Sequence, residues 1–81
     1  MKIVWDEPKR LANLEKHGVD FADIGEDFFL HSLVGPAKQG RFFAVGKLDR
    51  TIVVFFARLG SEGLSIVSAR PAKAKERKLL E

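Results

Sequence analysis

Four cations from separate parts of the chain, Lys38, Arg41, Arg58 and Arg77, are the side chains best suited to chemistry, and that chemistry is phosphate chemistry. Arginine offers paired donors in a rigid fork that matches phosphate oxygens. Lysine offers a compact charge and a transferable proton. Each alone reads most simply as a surface cation. Conventional acid–base machinery is missing: His17 and His31 are the only histidines, and no nearby histidine pair or carboxylate pair offers it to these cations. There is no cysteine, so thiolate nucleophiles, thiolate metal sites and disulfides are excluded. No HExxH or other spaced His/Asp/Glu cluster is present, and the glycines form no phosphate-cradling loop. No metal and no cofactor are expected.

The elements that must position these cations are legible in outline. Lys2–Trp5 is a short extended segment. Asp6 is a good helix N-cap, Pro8 suits a first turn, and Leu11 and Leu14 repeat at helical spacing. Lys16-His17-Gly18 then reads as a helix stop, with cations in the last turn and glycine in the left-handed position beyond it. Lys9, Asn13 and Lys16 share a face of this helix, a solvated face or a phosphate contact. Asp20 caps a second expected helix with Phe21, Ile24 and Phe28 as its stripe. After Leu30 the period shortens to two. Gly35-Pro36 and Gln39-Gly40 bracket a loop carrying Lys38. Arg41–Leu48, Thr51–Arg58 and Leu64–Arg70 read as three strands. The middle one, TIVVFFAR, is so continuously apolar that both its faces should be covered. Pro71 opens a last helix, Ala72–Leu80, whose apolar stripe is only Ala72, Leu79 and Leu80. The expectation is an α+β domain: a mostly antiparallel meander with two N-terminal helices and one C-terminal helix, all on one face of the sheet.

A two-residue turn at Asp49-Arg50 would place Arg58 opposite Arg41, beside Lys38. A turn near Ser61 would put Arg70 opposite Ile52, roughly 20 Å from Arg58 at about 3.4 Å per strand residue. Folding back, the last helix would return Arg77 by about 10 Å toward the Arg58 end. Lys38, Arg41, Arg58 and Arg77 would then converge. Such a patch fits RNA cleavage by attack of a 2′-hydroxyl on the adjacent phosphate, whose pentacovalent transition state carries extra negative charge. Arg58 and Arg77 would stabilise it, Lys38 would transfer a proton or bind phosphate, and Arg41 would support substrate, as would Lys16, His17 and Arg70 more remotely. Trp5 and the seven phenylalanines read as core, because most lie in apolar runs.

Length and composition set the frame. The chain has 81 residues, 46% hydrophobic and 31% charged, and a net charge of +3, which describes one small folded domain rather than a disordered tail. A domain of this size buries about 60–65% of its unfolded surface, so a partner would add useful burial. The positive excess gathers in the tail, where Arg70, Lys73, Lys75, Arg77 and Lys78 face only Glu76 and Glu81. No apolar run reaches the roughly 20 residues needed to span a bilayer, and Asp6 and Glu7 come too early for a secretory signal. A cytoplasmic protein is expected.

Trp5-Asp6-Glu7-Pro8-Lys9, Asn13, Lys16-His17-Gly18-Val19 with Phe21, Gly46, Arg58, and Ile66-Val67-Ser68-Ala69-Arg70-Pro71-Ala72 with Lys75-Glu76-Arg77 together resemble the BrnT toxins over nearly the whole chain. The resemblance implies a RelE-like fold and a ribonuclease toxin of a type II toxin–antitoxin system that arrests translation. It implies an RNA substrate, a BrnA-type antitoxin, operator DNA bound by the complex, and a homodimer within that complex. The chain departs from its relatives in its tail, Lys78-Leu79-Leu80-Glu81, and in having no tyrosine. A rival reading is a non-catalytic basic module whose cations serve only assembly or DNA contact in a repressor complex.

Overall fold

Asp6 opens the first helix by accepting a hydrogen bond from the Lys9 N–H (3.3 Å), and Gly18 closes it at φ 71 with its N–H on the Leu14 carbonyl. These signals bound α1 (Glu7–His17), which follows the edge strand β1 (Lys2–Trp5). The computed structural model describes all 81 residues, and the remaining elements are α2 (Glu26–Leu30), β2 (Leu33–Pro36), β3 (Phe42–Leu48), β4 (Arg50–Leu59), β5 (Gly63–Pro71) and α3 (Ala74–Lys78). Single 3₁₀ turns lie at Phe21–Asp23 and Lys38–Gly40. No helix is long and apolar enough to cross a membrane.

The second expected helix is not continuous. The Asp20 carboxylate accepts from the Ala22 N–H and closes only a 3₁₀ turn; Ile24 and Gly25 are then extended, and α2 starts at Glu26. Its stripe nevertheless points inward, since Phe21, Ile24 and Phe28 are all buried. Gly46 allows this approach, because a Cβ there would strike the Phe28 ring and the Ser32 hydroxyl.

The five strands run in the order β1-β5-β4-β3-β2, antiparallel except for β1, which pairs parallel with β5. As the unbroken apolar run requires, β4 is central and covered on both faces. The larger core lies under α1 and α2: Val19, Phe21, Ile24, Phe28 and Phe29 pack on Ala44, Ile52, Val54, Phe56, Leu64, Ile66 and Ala69. Phe28, Phe29, Phe56 and Phe42 form a continuous run of ring contacts through it, with centroids 5.3 to 5.8 Å apart. The expectation of helices on one face only is corrected here. α3 lies across the other face, where Ala72 and Leu80 flank it and pack with Val45, Val53, Phe43 and Phe55.

Asn13 is buried, not part of a solvated face. Its amide donates to the Val19 and Ala69 carbonyls (both 2.9 Å), and its Oδ1 accepts from the Ala69 N–H (3.1 Å). One side chain thus fastens α1 to the end of β5. Arg10 joins the same helix to the next segment through ion pairs with Glu7 (2.7 Å) and Asp20 (3.0 Å). The Arg10 guanidinium holds both carboxyls below their ordinary range, Glu7 with help from the Trp5 indole and Asp20 chiefly through the Ala22 N–H.

Two registers differ from expectation. In the β3–β4 hairpin Leu48 pairs with Arg50 and Phe42 with Phe56, one residue away from a two-residue turn. Asp49 alone makes the corner in the left-handed conformation (φ 64), which aspartate tolerates better than most residues. In the β4–β5 hairpin a bulge separates the Phe55–Ser68 pair from the Phe56–Ile66 pair, so Val67 is the extra residue and Arg70 stands opposite Val53 rather than Ile52.

Candidate nucleic-acid interface

The one-residue register change decides which cations meet. Side chains alternate across a strand, so Arg58 shares the parity of Phe56 and projects on the α1–α2 side. Its guanidinium lies over the Phe42 ring, 5.4 Å from the centroid. It borders a cavity with Met1, Phe29, Val34, Phe56 and Leu64. Lys38 and Arg41 border a groove on the opposite face, with Phe43, Phe55, Val67 and Ser68. The expected convergence of Lys38, Arg41, Arg58 and Arg77 is therefore corrected. Lys38 and Arg41 meet, while Arg58 is on the far side of the sheet. Arg77 is on the α3 face, but its Nη1 donates to the Ala72 carbonyl (2.9 Å) at the start of α3.

Lys16 and His17 end α1, where the Arg50 guanidinium donates to the His17 carbonyl (3.3 Å). That is the Asp49 corner, at the opposite end of β3 from Arg41, so they do not join the groove. His31 is also engaged locally, with Nδ1 2.9 Å from the Asp27 carbonyl oxygen.

Arg70 is on the groove face. Its guanidinium lies over the Phe55 ring (5.5 Å to the centroid) and grips the Glu76 carboxylate with two bonds of 2.8 Å. Glu76 also accepts from the Lys73 N–H (2.7 Å), tying off the first turn of α3. The Arg70 fork is the largest influence holding the Glu76 carboxyl down to about 2, and Glu76 in turn raises Arg70. This ion pair is the main polar tie between α3 and the sheet.

The loop carrying Lys38 is tightly closed. The Ala37 N–H donates to the Arg41 carbonyl (2.8 Å) and the Arg41 N–H to the Lys38 carbonyl (3.2 Å), with Gln39 and Gly40 both left-handed. Lys38 and Arg41 therefore stand on a short, backbone-bonded corner and not on a loose excursion. No carboxylate lines the groove they border. An aromatic floor with cations at its rim is the arrangement that holds single-stranded nucleic acid through phosphates and base faces.

The reading of the phenylalanines as core holds in that Phe43 and Phe55 pack against the smaller cluster, but both rings stay partly exposed beside the groove. A signal was present: the last helix has too thin an apolar stripe to cover a sheet face. Glu76 as the partner of Arg70 was missed because the contact depends on how α3 turns after Pro71.

Comparison with known proteins agrees with the motif pattern. The family described as the ribonuclease toxin BrnT of type II toxin–antitoxin systems matches residues 5–76. The crystal structure of the Brucella abortus ribonuclease toxin BrnT superposes with a TM-score of 0.85 at 49% sequence identity, covering 90% of this chain and 97% of that one. No curated protein matches. A family match over most of the length, supported by a close structural relative, settles the assignment: this chain belongs to the BrnT family of ribonuclease toxins of type II toxin–antitoxin systems.

Proposed function

We propose that this chain is an endoribonuclease toxin that cuts RNA without a metal ion, and that it does so in the groove bordered by Lys38 and Arg41. The observation that carries the assignment to this groove is the pairing of those two cations with two phenylalanines in a groove that no carboxylate lines, Glu76 on its other side being held by Arg70. In the proposed step the 2′-oxygen bonds to phosphorus as the bond from phosphorus to the 5′-oxygen breaks. The hydroxyl proton passes to a base and the departing 5′-oxygen takes one up, leaving a 2′,3′-cyclic phosphate and a 5′-hydroxyl. Arg41 fits the non-bridging oxygens, where negative charge accumulates. Lys38 is the candidate proton-transfer or phosphate-binding group. Arg58 and Arg77 have no contact with the reacting phosphate in this reading, one being on the far face and the other turned to the Ala72 carbonyl.

Family membership supports a protein antitoxin as partner, and a BrnA-type antitoxin acting with the toxin on operator DNA, with arrest of translation as the result of free toxin, completes the proposal. The RelE-like label belongs with it.

The test is cleavage of a single-stranded RNA in EDTA by the wild type and by folded Lys38→Ala, Arg41→Ala, Arg58→Ala and Arg77→Ala variants. Cyclic-phosphate products and a loss of about 10²-fold or more for Lys38→Ala and Arg41→Ala are expected, from the size of a lost transition-state contact. A larger loss for Arg58→Ala would move the site to the other face. Cleavage that stops in EDTA would refute metal independence. Unchanged cleavage in all four would favour the basic-module reading of these cations.

A further inference from the structure

We propose that Phe43 and Phe55 form a floor on which an unpaired RNA base stacks, making them positioning residues for the scissile phosphate held by Lys38 and Arg41. The inference rests on the ribonuclease reading for its ligand, but its evidence is separate. Phe43 and Phe55 are a directly opposed cross-strand pair on β3 and β4. On the other face Phe28, Phe29, Phe42 and Phe56 satisfy one another in ring-to-ring contacts. Phe43 and Phe55 take part in none of these and stay partly exposed. α3 flanks them on one side, where Glu76 and Leu79 line a small pocket with Phe43, Val45, Val53 and Phe55. From the other side they are open between Lys38, Arg41, Val67 and Ser68.

The neighbouring backbone is shaped to this ring. A Cβ at Gly35 would lie 2.6 Å from the Phe43 ring, so glycine in β2 lets the ring press against bare backbone and hold one orientation. The Arg70 guanidinium, itself clamped by Glu76, lies over the Phe55 ring and takes up part of its surface, so Phe43 is the more open of the two rings. The Phe43 ring, with the part of Phe55 that Arg70 leaves uncovered, is partly desolvated and rimmed by cations, which suits a planar base whose own phosphate is negatively charged. An acidic protein segment would answer the rim but has no equal use for flat ring faces. RNA is therefore the occupant the geometry favours.

The experiment measures binding of a fluorescent 2′-O-methyl RNA hexamer, which cannot be cut because the nucleophile is blocked. A sugar–phosphate strand of the same length lacking bases is the second probe. The wild type should prefer the strand with bases, and Phe43→Leu and Phe55→Leu should each weaken that binding roughly tenfold while leaving the base-free strand unchanged. Phe43→Tyr should restore most of it, because the ring is kept. Thermal melts check folding. If the leucine variants do not fold, the wild-type comparison of the two strands decides alone. Equal affinity for both strands would overturn the proposal and leave the face to a protein partner. A wild type that prefers bases yet cuts no RNA would overturn the ribonuclease reading and leave the base floor standing.

Discussion

Asn13 shows how one polar side chain can decide where a helix sits. It makes three buried hydrogen bonds to backbone groups of the α1–α2 connection and of β5. Asn13→Ala leaves those groups buried without partners, which costs roughly 2–3 kcal/mol. The urea midpoint should fall accordingly, with an unchanged slope. A shift below about 0.5 kcal/mol, the level of an ordinary surface substitution, would mean that α1 is held by its apolar contacts alone. Asn13 was legible as one of the spaced residues in the family pattern, but its burial was not, because helical spacing alone put it with Lys9 and Lys16. Phe43 was read correctly as packing on the core, but its partial exposure was not legible in its own stretch. Apolar neighbours said core, and only the shortfall in covering helix pointed to the exposure.

Elements read well wherever local chemistry fixes them and poorly where one residue sets a phase. Asp6, Pro8 and Gly18 defined α1 almost to its ends. Asp49 gave no comparable warning, because one left-handed residue or a two-residue turn can follow the same sequence. The choice between them moved Arg58 away from Arg41. Packing of α2 yields a prediction at this scale. Gly46→Ala should destabilise the protein by about 1–3 kcal/mol through overpacking against Phe28 and Ser32. A neutral thermal melt for that variant would show that α2 yields freely.

α3 carries a pH prediction. Glu76 titrates at about 2 when folded, against an ordinary 4.5, because the Arg70 fork favours its ionised form. Its contribution to docking is therefore complete above about pH 4.5 and is lost as pH falls toward 2. Amide protection in residues 74–80, corrected for the intrinsic exchange rate at each pH, should fall across that window before the β4 and β5 amides respond. Glu76→Gln should exchange quickly at neutral pH and lose the acid dependence. If the variant keeps the wild-type profile, the Leu79 and Leu80 contacts hold α3 without the ion pair.

At the scale of the molecule, the sheet divides the chain into two unequal faces. The α1–α2 side holds the larger buried core, and the α3 side holds a smaller one beside an open groove. The sequence made the α+β class and the central place of β4 clear. It did not show that β1 would pair parallel with β5, since that contact joins segments some sixty residues apart with no local signal. A net charge of +3 is modest, so RNA affinity should come from few contacts and depend weakly on salt. Two phosphates at Lys38 and Arg41 give a log–log slope of about −1.4, and Lys38→Ala should reduce its size by about 0.7. A slope several times steeper would point to a footprint extending over the basic tail.

The bulge at Val67 acts as a spacer that counts. Before it, Leu64 and Ile66 turn to the larger core; after it, Ala69 does so too, which strict alternation would forbid. Arg70 reaches Phe55 and Glu76 only because this extra residue shifts the rest of β5 by one place. Straightening β5 with Val67 kept in the alternation would leave every side-chain type in place yet exchange the faces of Ala69 and Arg70. That would put a guanidinium into the core beside Asn13 and strip the groove of its fixed end. Deleting Val67 itself would instead restore plain alternation, with Ala69 still inward and Arg70 still on the groove, so it is loss of the bulge with its residue retained that would be severe.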